Sequence, residues 1–266
     1  LNVILISLDT VRPDHLSCYG YHRQTTPNID EITKDGVIFT QAFSQASTTV
    51  PSHLSLFTSR YPTTEWVRWE SVDLEPSTET LTELLKREGY ATGAFTGFGR
   101  HQASHQDLLV AHPFRTFDHF SEEKIELRSL PEELFAWLQT QRDQPFFLFL
   151  HGGDAHEPHV LPIQYDAKRF NRAYTGRVPS TTTELEHVMA VELGKLDAQR
   201  LTGPGGYWSK RSEFYRHLLV TPRGIDPEGL HHMQAVYDAQ IYYLDQGLGQ
   251  LFQALKGLDL MGARSL

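Results

Sequence analysis

Residues 2–8 read Asn-Val-Ile-Leu-Ile-Ser-Leu, and the run stops at Asp9-Thr10. A nearly continuous apolar run of this length is the pattern of a strand buried on both faces, as in a parallel sheet. Asp9 then lies just past the strand's carboxyl end, the edge at which open α/β sheets bind ligands. Two further runs repeat the arrangement. Tyr90–Thr96 reads as a strand, and Pro145 precedes Phe-Phe-Leu-Phe-Leu at 146–150, which ends in His151, Asp154 and His156. Val37–Phe43 alternates and is expected to be a strand as well.

Helical patterns separate these runs. Helices are expected over Thr26–Gly36, Pro51–Ser59, Glu79–Glu88 (closed by Gly89), Leu130–Gln141 with Pro131 in its first turn, Thr183–Gln199 and Glu228–Lys256. The last carries Val236, Ile241, Leu244, Leu248, Leu251 and Leu255 at helical spacing. Strands alternating with helices predict an α/β fold, a mainly parallel sheet sandwiched by helices. No repeat, low-complexity tract or obvious linker divides the 266 residues, so one domain over 1–266 is expected. The stretches 61–78 (with Trp66 and Trp69), 98–122 and 157–182 read as loop insertions that shape a pocket.

Apolar residues make up 39% and charged residues 21%, a globular balance. Lys plus Arg total 24 and Asp plus Glu 33, so the net charge is −9, which argues against nucleic acid as the main partner. A small anionic substrate remains compatible, because a pocket can be locally positive. Cys18, the single cysteine, can form neither an internal disulfide nor a thiolate zinc cage, and is expected to be a buried structural thiol. No apolar run is long enough to span a bilayer. The chain opens on Leu1 and goes straight into a strand, so a leader or anchor is expected to have been removed or left out.

Three places carry candidate chemistry. Asp9 is either a turn or capping carboxylate or a ligand for a hard divalent cation. Thr49, with Pro51 behind it, falls at a helix N-terminus. It is either a capping threonine or a hydroxyl nucleophile held at the positive end of the helix, where a tetrahedral anion also binds. His151-Gly-Gly-Asp-Ala-His156-Glu-Pro-His159 gathers three histidines and two carboxylates in nine residues. His156 suits a phosphate or sulfate oxygen or a leaving group, whereas Asp154 and His159 read as structural. Asp238 and Asp245, seven residues apart on one helix face, are expected to be caps or salt-bridge partners.

These stretches together resemble the N-terminal two-thirds of a sulfatase of the alkaline phosphatase superfamily. The resemblance rests on NVILISLDTVRPDHLSCYGY, TTPNIDEITKDGVIFTQAFS, TVPSHLSLFTSRYP, GYATGAF, PFFLFLHGGDAHEP and YDAQIYYLDQGLGQL, in the family's order. It implies a metal-dependent hydrolase or transferase of phosphate or sulfate esters, with a divalent cation (Mn, Mg, Ca or Zn) as cofactor and a small anionic ester as partner. Carried over by position, Asp9 is a metal ligand, Thr49 both metal ligand and nucleophile, and His156 a catalytic ligand of the anion. His53 and His151 become substrate contacts.

The family's nucleophile motif is Cys or Ser, any residue, Pro, any residue, Arg, and its Cys or Ser becomes formylglycine. Here the segment is Thr49-Val50-Pro51-Ser52-His53, and threonine cannot give that aldehyde by the same chemistry. Thr10 replaces the second Asp of the family's Asp-Asp pair. Thr96–Arg100 lacks the family's lysine. The family's remaining metal ligands follow a long helix like that ending near Lys256, and the chain is expected to lack them because it stops at Leu266. A threonine nucleophile favours phosphate over sulfate. The alternative is a fragment or pseudoenzyme that binds an anion or partner without turnover.

Overall fold

The computed structural model describes residues 1–62, 67–68, 71–72, 78–97, 116–121, 125–193 and 225–261. Its strands are β1 (Val3–Leu8), β2 (Val67–Arg68), β3 (Ser71–Val72), β4 (Ala91–Thr96), β5 (His119–Phe120) and β6 (Phe146–Gly152). Its α-helices are α1 (Pro27–Thr33), α2 (Thr49–Thr58), α3 (Leu81–Arg87), α4 (Glu132–Thr140), α5 (Thr182–Leu193) and α6 (Pro227–Gly257). The main sheet has four strands in the order β1-β6-β4-β5, and every pair in it is parallel. This is the mainly parallel α/β architecture expected from the three apolar runs.

The described residues group into two compact units, each built from separated stretches of chain. The first comprises Leu1–Asp9, Ile32–Asp154 and Gly247–Leu266. It holds the sheet, with every residue of β6 buried. Because alternate residues of a strand face opposite sides, the run of apolar residues in β6 feeds both faces. Phe147 and Phe149 join Phe57, Ala94 and Phe117 on one side, with Leu81 and Leu85 of α3 against them. Phe146 meets the Trp137 ring of α4 edge-on. The α3 helix starts in a full capping box, Thr80 accepting from the Glu83 N–H and Glu83 from the Thr80 N–H. It ends before Gly89, which takes the left-handed conformation at φ +84°.

The second unit comprises Thr10–Glu31 and Ala155–Gln246. Two buried carboxylates of α6 tie the first of these stretches to the helix. Asp238 accepts from His15 Nδ1 at 2.6 Å, Tyr21 Oη at 2.8 Å and Arg23 Nη1 at 2.5 Å. Asp245 caps α1, accepting from the backbone N–H groups of Asn28 and Ile29, each at 2.9 Å. Both aspartates are structural, as their helical spacing suggested, and burial pushes the Asp245 carboxyl up.

Several local expectations need correction. Val37–Phe43 forms no strand: among the described residues no strand pairs with it, and Val37, Phe39 and Phe43 stay exposed. An alternating pattern becomes a strand only where a neighbour offers a backbone ladder. The stretches 61–78 and 98–122 are not loop throughout. The first contains the β2–β3 antiparallel ladder and the second the edge strand β5. Trp66, Trp69 and residues 98–115 lie outside the described residues. Pro131 is the N-cap of α4 rather than a first-turn residue. The helix expected over Thr26–Gly36 is shorter, and 194–199 of the one expected to reach Gln199 lie outside the described residues. Cys18 is half-buried rather than buried, and partial burial pushes its thiol up. Finally, β6 does not stop at Leu150 but runs on to Gly152, so His151 is a strand residue.

Candidate active site

That extension of β6 matters for what surrounds Asp9. Ser7 pairs with His151 and Leu8 with Gly152, and the Asp9 N–H donates to the Gly152 carbonyl at 2.9 Å. The sheet therefore delivers Asp9 and His151 to the same edge. A Cβ at Gly152 would run into the buried Leu127 side chain and stand 3.0 Å from Asp154 Oδ2, so that packing would have to shift. Beyond Asp9 the chain turns through Thr10 at φ 60°, a backbone that β-branched residues rarely adopt. The Thr10 carbonyl accepts from Tyr237 Oη at 2.7 Å.

Thr49 opens α2. Thr48 is the N-cap, extended and without a side-chain capping bond, and Pro51 falls in the first turn, where an N–H has no intrahelical partner to lose. Thr49 is half-buried, and its Oγ1 donates to Asp9 Oδ2 at 3.0 Å. His151 Nε2 lies 3.4 Å from the same carboxylate oxygen. Asp9, Thr49 and His151 thus come together at the carboxyl edge of the sheet.

His53 sits one helical turn after Thr49. It is 8% exposed, and its Nε2 is hydrogen-bonded to Ser7 Oγ at 2.8 Å. Its ring stands nearly perpendicular to the His151 ring, with centroids 4.8 Å apart. Burial pushes the imidazole down to about 4, with the neighbouring His151 acting in the same direction. His53 is therefore neutral at ordinary pH. His156 lies in the second unit and is exposed, with Nδ1 3.1 Å from the Glu157 carbonyl oxygen.

The other polar groups of the 151–159 segment are structural. Asp154 is buried and accepts from the backbone N–H groups of Leu127 at 2.8 Å and Arg128 at 2.9 Å. Burial pushes its carboxyl up, opposed by Arg128 and by these two N–H groups. His159 Nδ1 is 3.1 Å from Gln240 Oε1, and burial lowers its ring. Sequence reasoning missed Ser7, although its place two residues before Asp9 puts it on the same side of the strand.

Asp9 and Thr49 suit a divalent cation in kind. Their oxygens are hard donors 3.0 Å apart, the spacing of neighbouring ligands around a small cation with metal–oxygen distances of about 2.1 Å. They do not fill its sphere, and among the described residues no group of three or more His, Cys, Asp or Glu is arranged to hold a metal ion.

The sulfatase family model matches residues 1–260. The chain belongs to the sulfatase family. Iduronate 2-sulfatase of Mus musculus is 37% identical over 306 aligned positions, covering 98% of this chain and 52% of that protein. Two solved structures share the fold. The phosphonate monoester hydrolase of Agrobacterium radiobacter has a TM-score of 0.63 and 20% identity, over 97% of this chain and 60% of that one. A structure in complex with its substrate D-glucosamine-2-N,6-O-disulfate has a TM-score of 0.64 and 16% identity, over 99% and 63%. The chain thus spans about half the length of the mouse relative and some three-fifths of these structures.

Proposed function

We propose that this member of the sulfatase family serves a hydrolase or transferase of phosphate or sulfate esters in which Thr49 is the nucleophile. The observation that carries the reading is the 3.0 Å hydrogen bond from Thr49 Oγ1 to Asp9 Oδ2 at the first turn of α2. A hydroxyl is a poor nucleophile until a base or a cation acts on it. Asp9 is within reach of the proton.

In the first step the Oγ1–H bond breaks and the proton passes to Asp9. Oγ1 bonds to phosphorus or sulfur, and the bridging ester oxygen leaves with its electron pair and takes up a proton from solvent. The products are an alcohol and a phospho- or sulfo-threonine. Water or an acceptor alcohol then attacks the same centre and loses a proton to solvent, the bond to Oγ1 breaks, and Oγ1 takes back the proton held by Asp9, which restores the hydroxyl and the carboxylate. The positive end of α2 favours the anion in both steps. We assign His151, whose Nε2 faces Asp9, to the non-bridging oxygens. For His156, a residue of the second compact unit, the role of catalytic ligand of the anion is what the family resemblance implies.

Family membership suggests a divalent cation (Mn, Mg, Ca or Zn). Asp9 and Thr49 would hold it, and it would supply countercharge for the oxygen nucleophile and the ester. Phosphate is favoured over sulfate, because threonine does not give the formylglycine aldehyde. The second reading, anion binding without turnover, is favoured by His53, which is neutral and buried where the family carries an arginine.

The test uses the intact protein with nitrophenyl phosphate, bis-nitrophenyl phosphate and nitrophenyl sulfate, each with manganese, magnesium, calcium and zinc. Turnover of a phosphate ester is expected, and Thr49→Val should lower it by about 10³-fold or more. A variant that keeps more than a tenth of the wild-type rate removes Thr49 from the mechanism. Phosphate binding with no turnover under any of these conditions selects the second reading.

A further inference from the structure

Two hydrogen bonds link β1 to α2, and their spacing makes them a pair. Ser7 of β1 and Asp9, just past its end with its N–H still bonded to the Gly152 carbonyl, are two residues apart, so their side chains leave the same side about 6.6 Å apart along the extended chain. On α2, Thr49 and His53 are four residues apart and share a helix face, about 6 Å apart along the axis. Asp9 meets Thr49 at 3.0 Å, and Ser7 meets His53 at 2.8 Å. The rungs run in opposite chain directions, so α2 lies antiparallel to β1 with its N-terminus at the carboxyl edge of the sheet.

Phe57 anchors the later turns of α2 in the core, and the two rungs fix the rotation and axial position of its first turns. The Ser7–His53 rung is also the better shielded. His53 is 8% exposed and packs edge-on against Phe149, with ring centroids 5.7 Å apart, whereas Thr49 is half-buried.

We propose that Ser7 and His53 are positioning residues, which hold α2 at the rotation and axial position where Thr49 Oγ1 meets Asp9. This rests on the proposed role of Thr49 and replaces the expectation that His53 contacts substrate. The bond to Ser7 ties His53 to β1, and through the α2 backbone His53 acts on the placement of Thr49. A misplacement of a reacting group by about 1 Å costs on the order of 10²-fold in rate, so a single lost hydrogen bond should act on kcat rather than on KM.

The experiment compares Ser7→Ala, Ser7→Thr, His53→Gln, His53→Leu and the Ser7→Ala/His53→Leu double variant in the intact protein, with Thr49→Val measured alongside. Ser7→Ala and His53→Leu should each lower kcat by about 10- to 100-fold with KM within about twofold. Ser7→Thr and His53→Gln keep a hydrogen-bonding group in place and should restore most of the rate. The double variant should be no slower than the worse single one, because both singles remove the same bond. A rise in KM with kcat unchanged in the His53 variants would make His53 a substrate contact and overturn the proposal. So would additive losses, or a Ser7→Ala rate within twofold of wild type. Ser7→Ala removes only a hydroxyl from a half-buried strand position, so it remains decisive if His53→Leu does not fold. If Ser7→Ala is fully active while Thr49→Val is dead, only the positioning role fails. If Thr49→Val is active, the nucleophile and the positioning role fail together.

Discussion

Asparagine at position 238 would keep the side chain's volume and remove its charge. Asp238 is 0% exposed and takes hydrogen bonds from Arg23, His15 and Tyr21. Burial and the carboxylate also push the Tyr21 hydroxyl up to about 12, so it is always a donor toward position 238. An asparagine brings one acceptor oxygen and an NH2 that faces donors. The Arg23 guanidinium, 12% exposed, would then lose its counter-charge. Removing one partner of a buried pair costs about 3–5 kcal/mol. Arg23 keeps the Phe170 ring, 5.7 Å from Cζ, so the lower end of that range is expected. About 3 kcal/mol corresponds to a fall of roughly 6–12 °C in Tm for a chain of this size. The assay is urea unfolding followed by circular dichroism, with thermal unfolding beside it. Replacing both partners, as Asp238→Leu with Arg23→Met, should recover part of the loss, since an apolar pair carries no stranded charge. A loss under about 1 kcal/mol for Asp238→Asn would refute the reasoning, as would a double variant less stable than the single.

Two other expectations follow from packing and from burial. Gly247→Ala would drive a Cβ into the carbonyl oxygen and carbon of Leu127, and backbone cannot yield as a side chain does. The variant should lose more than about 3 kcal/mol or fail to accumulate as folded protein, and a urea midpoint equal to wild type contradicts this. His232 is buried against Tyr174 with its Nε2 2.9 Å from Ser180 Oγ, and burial pushes it from 6.5 down to about 4. Between these values the unfolded chain binds the proton and the folded chain does not, so stability is full at neutral pH and falls as pH drops from 6.5 toward 4. The loss is up to about 3 kcal/mol, and urea titrations across that window should show His232→Gln with a flatter slope than wild type.

The fold was legible where a pattern has one physical meaning. Runs such as Phe146–Leu150 bury both faces of a strand and can only be central. Gly89 and the Thr80–Glu83 box mark helix ends by local chemistry alone. Val37–Phe43 failed because a strand is a property of two segments, and the sequence shows one. The meeting of Asp9 and Thr49 could be anticipated, since each lies at the carboxyl edge of a strand or the start of a helix. The fates of the histidines could not. His53, His151 and His156 look alike in sequence. Only packing separates a neutral ring bonded to Ser7 from a ring facing a carboxylate and from an exposed one.

That separation bears on how the site would handle an anion. Within 3.0 Å of Thr49 Oγ1 stands a carboxylate, and the nearby His53 is neutral. The start of α2 contributes about half a positive charge. Two unit charges about 4 Å apart interact by about 4 kcal/mol at an effective dielectric of 20, so a dianionic ester brought to Oγ1 is opposed by Asp9 more strongly than the helix attracts it. A divalent cation on Asp9, or protonation of Asp9, would relieve that repulsion. In the proposed mechanism Asp9 takes the proton of Thr49, and its carboxyl would then be uncharged while the bond to phosphorus or sulfur forms. Asp9 would thus repel the anion in the resting site and cease to do so in the step it assists, which is the differential stabilisation that lowers a barrier rather than tightening a ground state.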